Sequence, residues 1–283
     1  MARFPAYASG WDKTWHYAFR IICGLVFAFL MFPILVILPL SFNAGNLFTF
    51  TPEMLRFDPD GYSLRHYRNL FQSPDWQIAM YNSFRIAPVA TLVSVSIGTL
   101  AAIGLSQRHM PFKQAIMAIL ISPMIVPLII SAAGMFFFYS RIGLQGTYVG
   151  IVLAHAVLGV PFVIITVTAT LTGFDHSLTR ASASLGAGPV KTFFKIQMPL
   201  ILPGVISGAL FAFITSFDEV VIVLFVGSAD LKTLPWEMFS GLREQLSPTI
   251  LAVATVLVAL SVMLLTCVEL LRRRSQRMRG LEP

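Results

Sequence analysis

The sequence predicts an all-α integral membrane protein of six transmembrane helices, and three observations carry that prediction. Of its 283 residues, 56% are hydrophobic and only 12% charged, against about a quarter charged in soluble domains. Apolar runs of about 18 residues or more, long enough to cross a hydrocarbon core, recur along the whole length. None of them alternates apolar and polar residues over the roughly ten-residue segments of a membrane β-barrel, so they read as helices.

The runs lie near 18–42, 83–105, 114–138, 147–172, 201–226 and 249–271. The first exceeds the roughly 7 to 15 residues of a signal-peptide core and lacks a small-x-small cleavage site, so it reads as a span. Between the first and second runs, residues 43–82 mix Tyr62, His66, Tyr67, Phe71, Trp76 and Tyr81 with charges, a composition expected at the membrane interface, partly as an amphipathic helix. Pro33, Pro39, Pro88, Pro123, Pro127, Pro161 and Pro203 fall within or beside the runs. Each frees a backbone carbonyl that a neighbouring helix must satisfy, so the helices are expected to bend and pack as a bundle. On the fifth run, Gly204, Gly208 and Ala212 recur every four positions and mark a face where another backbone can approach closely. The sixth ends on the basic cluster RRRSQRMR, which reads as a stop-transfer anchor.

Lys and Arg placement sets the orientation. With the N-terminus inside, the inner side holds Arg3, Lys13, Arg20, Arg108, Lys113, Arg180, Lys191, Lys195 and the C-terminal arginines, and the outer side Arg56, Arg65, Arg68, Arg141, Lys232 and Arg243, with Arg85 at the mouth of the second span. That bias predicts both termini in the cytoplasm. The net charge of +7 therefore reports topology, and no nucleic-acid partner is expected.

Most catalytic equipment is missing from the sequence. It contains no GxxxxGK[ST] phosphate loop and no HExxH. Cys23 and Cys267 lie inside apolar runs, and His16, His66, His109, His155 and His176 are scattered without ligand spacing, so no catalytic or metal-ligating residues are assigned. His155 alone falls within a span, where an imidazole hydrogen-bonded across helices is the expectation.

The segment of about 173–200, between the fourth and fifth runs, is the most informative. It is helix-permissive on either side of Gly186-Ala-Gly-Pro189, which predicts two short helices with a hinge, forming a rigid cytoplasmic knob. Leu185, Phe193, Phe194 and Ile196 are apolar residues in need of a partner protein.

These residues resemble the coupling loop of permease subunits in binding-protein-dependent (type I) ABC importers. The family pattern Glu-Ala-Ala-x3-Gly-x9-Ile-x-Leu-Pro stands here as Arg180-Ala181-Ser182-x3-Gly186-x9-Ile196-x-Met198-Pro199, with the spacing intact. Ser182 and Met198 are small departures, whereas Arg180 reverses a charge. The resemblance implies a single permease domain over residues 1–283, both termini cytoplasmic, in the bacterial inner membrane. It further implies that Arg180, Ala181, Ser182, Leu185, Gly186, Ile196, Met198 and Pro199 dock on a cytosolic ABC ATPase dimer. ATP and Mg would be held by that partner, with no cofactor on this chain, and a second permease subunit and an extracytoplasmic solute-binding protein would complete the importer.

Asp218 and Glu219 fall inside the fifth run, where an Asp near a helix centre costs roughly 2.5 kcal/mol or more. They lie about 22 Å beyond Pro203 at 1.5 Å per residue and are the candidates for a substrate pathway. Phe217-Asp218-Glu219 followed by an apolar run resembles the polyamine (spermidine/putrescine) branch of these permeases. A small cationic solute suits two carboxylates. Importers of opines, aminophosphonates or amino-acid derivatives are the alternative. A proton-coupled secondary transporter using Asp218, Glu219 and His155 would require uptake by this chain alone and inverted repeats, and the sequence displays no repeat.

Overall fold

The computed structural model describes residues 9–107, 109–175, 177–244 and 247–278. Arg3, Arg108, His176 and Arg279 lie outside these residues, as do the side chains of Cys267, Arg272, Arg273, Arg274 and Arg277. In chain order the helices are α1 (Gly10–Leu40), α2 (Pro52–Leu55), α3 (Arg65–Gln72), α4 (Pro74–Ser106), α5 (Lys113–Ile125), α6 (Leu128–Ile142), α7 (Tyr148–Thr172), α8 (Ser177–Ser184), α9 (Pro189–Thr192), α10 (Met198–Phe217), α11 (Val221–Val226), α12 (Leu234–Glu244) and α13 (Thr249–Met278). Among the described residues, α1, α4, α7 and the continuous helix Pro189–Phe217 are long and apolar enough to cross a membrane. The bent pair α5–α6 raises that number to as many as five, and Thr249–Met263 is a shorter apolar helix.

The chain divides into two compact units, residues 1–73 with 241–283, and residues 74–240. In the first unit, α1 begins eight residues before the expected span because Ser9 and Asp12 form a capping box. The Ser9 hydroxyl accepts from the Asp12 N–H, and the Asp12 carboxylate accepts from the Ser9 N–H at 2.9 Å. None of the most apolar stretch of α1 is buried. Residues 43–49 form a turn organised by Asn43, whose side chain donates to the carbonyls of Leu47 and Thr49 and accepts from the Gly45 N–H. His66 is buried on α3. Its Nε2 lies 3.0 Å from the Gly45 carbonyl and its Nδ1 3.4 Å from the Thr249 hydroxyl, which also accepts from Asn69. Burial holds the His66 imidazole below its ordinary value.

The second unit is built on α7, which packs along both α4 and α10. Small residues allow the approach. A Cβ on Gly208 would lie 2.6 Å from Thr166 Oγ1 and 2.8 Å from Val163 Cα, and one on Gly159 would lie 2.9 Å from the Ala212 Cβ. The stripe on α10 thus faces α7. Ser94 of α4 donates to the Ala156 carbonyl of α7 at 3.0 Å, a polar link between two apolar helices. Ile86, Ile151, Val226 and Ile222 fill one core, and Val163, Val167, Ile201 and Val205 another.

Three expected helices differ in form. The second begins at Pro74, not near 83, because Pro74 suits a first turn, Asp75 complements its dipole, and Trp76 and Ala79 are buried. The third is not one helix but α5 and α6, which meet at 99°. Pro127 has no N–H to offer the Pro123 carbonyl, and it forces Val126 into extended geometry (φ −68°, ψ 134°). The fifth does not run unbroken to 226: α10 stops at Phe217 and the chain resumes helical form at Val221.

Candidate functional site: the coupling knob and the break in α10

The knob is a helix-turn-helix. The Asp175 carboxylate accepts from the Ser177 N–H at 2.8 Å and its hydroxyl at 2.7 Å, opening α8. The chain turns at Gly186, whose φ of +77° lies in the left-handed region. The N–H of Gly186 and that of Ala187 bond back to the Ala183 and Ser182 carbonyls, closing the end of α8. Pro189 opens α9 at the position where its missing N–H costs nothing. A buried hydrogen bond of 2.9 Å between the Ser182 and Thr192 hydroxyls ties α8 to α9.

From Pro189 the helix continues without interruption to Phe217, through a π-helical turn at Phe193–Gln197. There Met198 donates to the Phe193 carbonyl. Pro199 and Pro203 follow directly, inside the same continuous helix. Phe193 and Met198 pack against the core of Val163, Val167, Ile201 and Val205. The knob is therefore the near end of a rod of 29 residues, roughly 40 Å long at 1.5 Å per residue.

The expected coupling residues fall into two groups. Arg180, Ala181, Leu185, Gly186 and Pro199 are exposed, with Leu185 at 88%. Ile196 and Met198 are half-buried at the root, and Ser182 is buried inside the knob. Phe194 is exposed as expected, whereas Phe193 is turned into the core. Sequence reasoning passed over Val190, which is 70% exposed, and Thr192, which holds Ser182. A hydroxyl ten residues beyond another on a broken helical hairpin was the available signal.

At the far end of the rod, Asp218 and Glu219 have different surroundings. Asp218 caps α10 and is exposed. Glu219 is buried, and its carboxylate accepts from the Ile222 N–H at 2.9 Å, closing the first turn of α11. One turn earlier Ser216, also buried, lies 2.8 Å from His155 Nδ1 of α7. On the same side, Asn82 donates to the carbonyls of Asp230 and Lys232, and the Ser83 hydroxyl accepts from the Leu234 N–H. These contacts clamp the segment after α11 to α4. Lys232 pairs with Asp75 at 2.8 Å and Glu237 at 3.5 Å, and the hydrogen bond to Asp75 holds its ammonium above the ordinary lysine range. Among the described residues, no three or more His, Cys, Asp or Glu side chains converge as a metal site would require.

A family profile described as "Binding-protein-dependent transport system inner membrane component" matches residues 94–277. The chain belongs to this family. Two relatives agree. The permease is 31% identical over 251 residues to the spermidine/putrescine transport system permease protein PotC of Haemophilus influenzae, covering 89% of this chain and 95% of the relative. It is also 31% identical over 245 residues to the putrescine transport system permease protein PotI of Escherichia coli K12, covering 84% of each. In fold it is similar to a chain of a bacterial ABC transporter for the acidic polysaccharide alginate, with a TM-score of 0.74, 15% identity, and coverage of 94% of this chain and 99% of that one. A second alginate ABC transporter structure, in complex with a pentasaccharide-bound periplasmic protein, gives a TM-score of 0.63 with 96% of each chain covered. The permease is accordingly a multi-pass inner-membrane subunit of an ABC importer and not itself an enzyme, with ATP hydrolysis in a separate subunit. That assignment displaces the solitary proton-coupled transporter.

Proposed function

We propose that this permease is half of the translocation pathway of an ATP-driven polyamine importer, with spermidine or putrescine as solute. Residues 1–283 act as one permease domain crossing the membrane six times, both termini inside. The knob around Arg180, Ala181, Ser182, Leu185, Gly186, Ile196, Met198 and Pro199 docks on a cytosolic ATPase dimer that holds ATP and Mg. A second permease subunit completes the pore, and an extracytoplasmic binding protein delivers solute to it.

The observation that carries this reading is the unbroken helix from Pro189 to Phe217, which ends on Asp218. A push on the knob is transmitted along one rod to the place where an exposed carboxylate can meet an ammonium group. α7, held along the rod by close small-residue contacts and by the His155–Ser216 bond, moves with it. Asp218 is the pathway group, and Glu219 is the structural one that keeps the break in place. The polyamine assignment is supported by the named substrates of the PotC and PotI relatives and by this carboxylate.

The test is uptake of labelled spermidine into proteoliposomes carrying the permease, its partner permease and ATPase, with the binding protein outside and ATP inside. ATP-dependent uptake that falls on Asp218→Asn but persists in Glu219→Gln is expected. Uptake of another solute and none of spermidine would refute the substrate, and uptake by the permease alone would refute the importer.

A further inference from the structure

The knob presents three cations that no acid on the described chain answers. Arg180, Lys191 and Lys195 are exposed and form no ion pair among the described residues. Residues 173–200 contain a single acid, Asp175, and its carboxylate is engaged by Ser177. Exposed apolar side chains lie close by in sequence: Val190 precedes Lys191, Phe194 precedes Lys195, and Leu185 stands five residues after Arg180. Because the Ser182–Thr192 bond holds α8 against α9, these six side chains belong to one rigid tip.

An apolar centre with a charged rim is the anatomy of a protein interface. The rim here has one sign. We propose that the knob is received by an acid-rimmed apolar groove on the cytosolic ATPase, whose carboxylates pair with Arg180, Lys191 and Lys195. This inference rests on the docking reading above and adds the chemistry of the partner. The fixed shape of the tip argues for a protein: a lipid surface requires cations but no locked turn at Gly186 and no internal hydroxyl pair. Charge at a rim chiefly sets association rate, orientation and partner choice. A groove built for the Glu of the family pattern would meet Arg180 with the wrong sign, so Arg180 selects which ATPase this permease accepts.

The experiment uses the full permease, tagged and co-expressed with its partner permease and cognate ATPase, and reconstituted in nanodiscs of zwitterionic lipid or with phosphatidylglycerol added. The readout is ATPase retained per permease, with retention of the partner permease as the check on folding. In both lipids, retention should fall as salt rises from about 0.1 M to about 0.5 M. The triple variant Arg180→Glu, Lys191→Glu, Lys195→Glu should lose about tenfold or more, whereas Arg180→Lys should stay near wild type. If the triple variant keeps its ATPase and salt has no effect while Leu185→Asp releases it, the docking stands and the acidic rim is refuted. If Leu185→Asp also keeps it, the docking reading falls as well. Loss confined to nanodiscs containing phosphatidylglycerol would assign the cations to lipid and overturn the proposal.

Discussion

Helices α1 and α7 are both long and apolar enough to cross a membrane, yet they are opposites in packing. None of the most apolar stretch of α1 is buried, against 61% of that of α7. The more apolar helix is the less buried one. Hydropathy identifies what can enter a bilayer, but it says nothing about which helix lies at the centre of a bundle, because lipid and protein interior are equally apolar. Small residues on the helices that face α7, together with sparse polar links, make the difference. Gly98, Gly204 and Gly208 have a neighbour within 3 Å of where a Cβ would stand, whereas Gly24 on α1 has nothing within 4 Å.

The sharpest way to break this contrast is a pair of identical substitutions. Gly208→Leu must overpack the α10–α7 contact and is expected to cost about 3 kcal/mol or more, lowering the melting temperature and the yield of folded permease. Gly24→Leu should stay within about 0.5 kcal/mol of wild type. Equal effects in thermal unfolding of the purified protein would erase the distinction drawn here. A smaller change is expected at the polar link. His155→Leu and Ser216→Ala should each cost about 1 to 2 kcal/mol, and the double variant should cost little more than either alone, since they remove one hydrogen bond. Additive losses would show that the two side chains do not act together.

The first unit should respond to acid through His66. His66 is held neutral by burial, with its folded-state value below the usual histidine value of about 6.5. The unfolded segment therefore binds the proton more readily, and stability falls as pH drops below that usual value. Amide exchange over residues 43–72 is expected to speed up between about pH 7.5 and pH 5 after correction for intrinsic rates, by less in His66→Gln. Acceleration of equal size in His66→Gln would remove the imidazole from the account.

Much of this was legible in the sequence, and the omissions share a cause. The apolar runs located the long helices, Gly186-Ala-Gly-Pro189 located the turn, and the four-residue spacing of Gly204, Gly208 and Ala212 identified the face that meets α7. Hydropathy cannot see what polar residues do to backbone ends. Ser9 and Asp12 start α1 before the apolar run begins, and the Glu219 carboxylate accepts from the Ile222 N–H at the start of α11. Nor does proline content distinguish a bend from a break. Pro161 and Pro203 sit inside continuous helices, whereas at Pro127 the preceding residue, Val126, is extended and the helix ends. The helix begins at Pro189, inside the knob itself, well before the span boundary expected near residue 201.

The central claim is that this knob and rod move as one body. The most direct test is spermidine transported per ATP hydrolysed in reconstituted importer carrying Gly186→Val. A Cβ there meets open space, so packing is not the issue. Valine in the left-handed conformation costs roughly 1 to 2 kcal/mol, which shifts the turn that joins α8 to the rod. The account predicts an importer that assembles and hydrolyses ATP but transports about tenfold less spermidine per ATP. An unchanged ratio would contradict it.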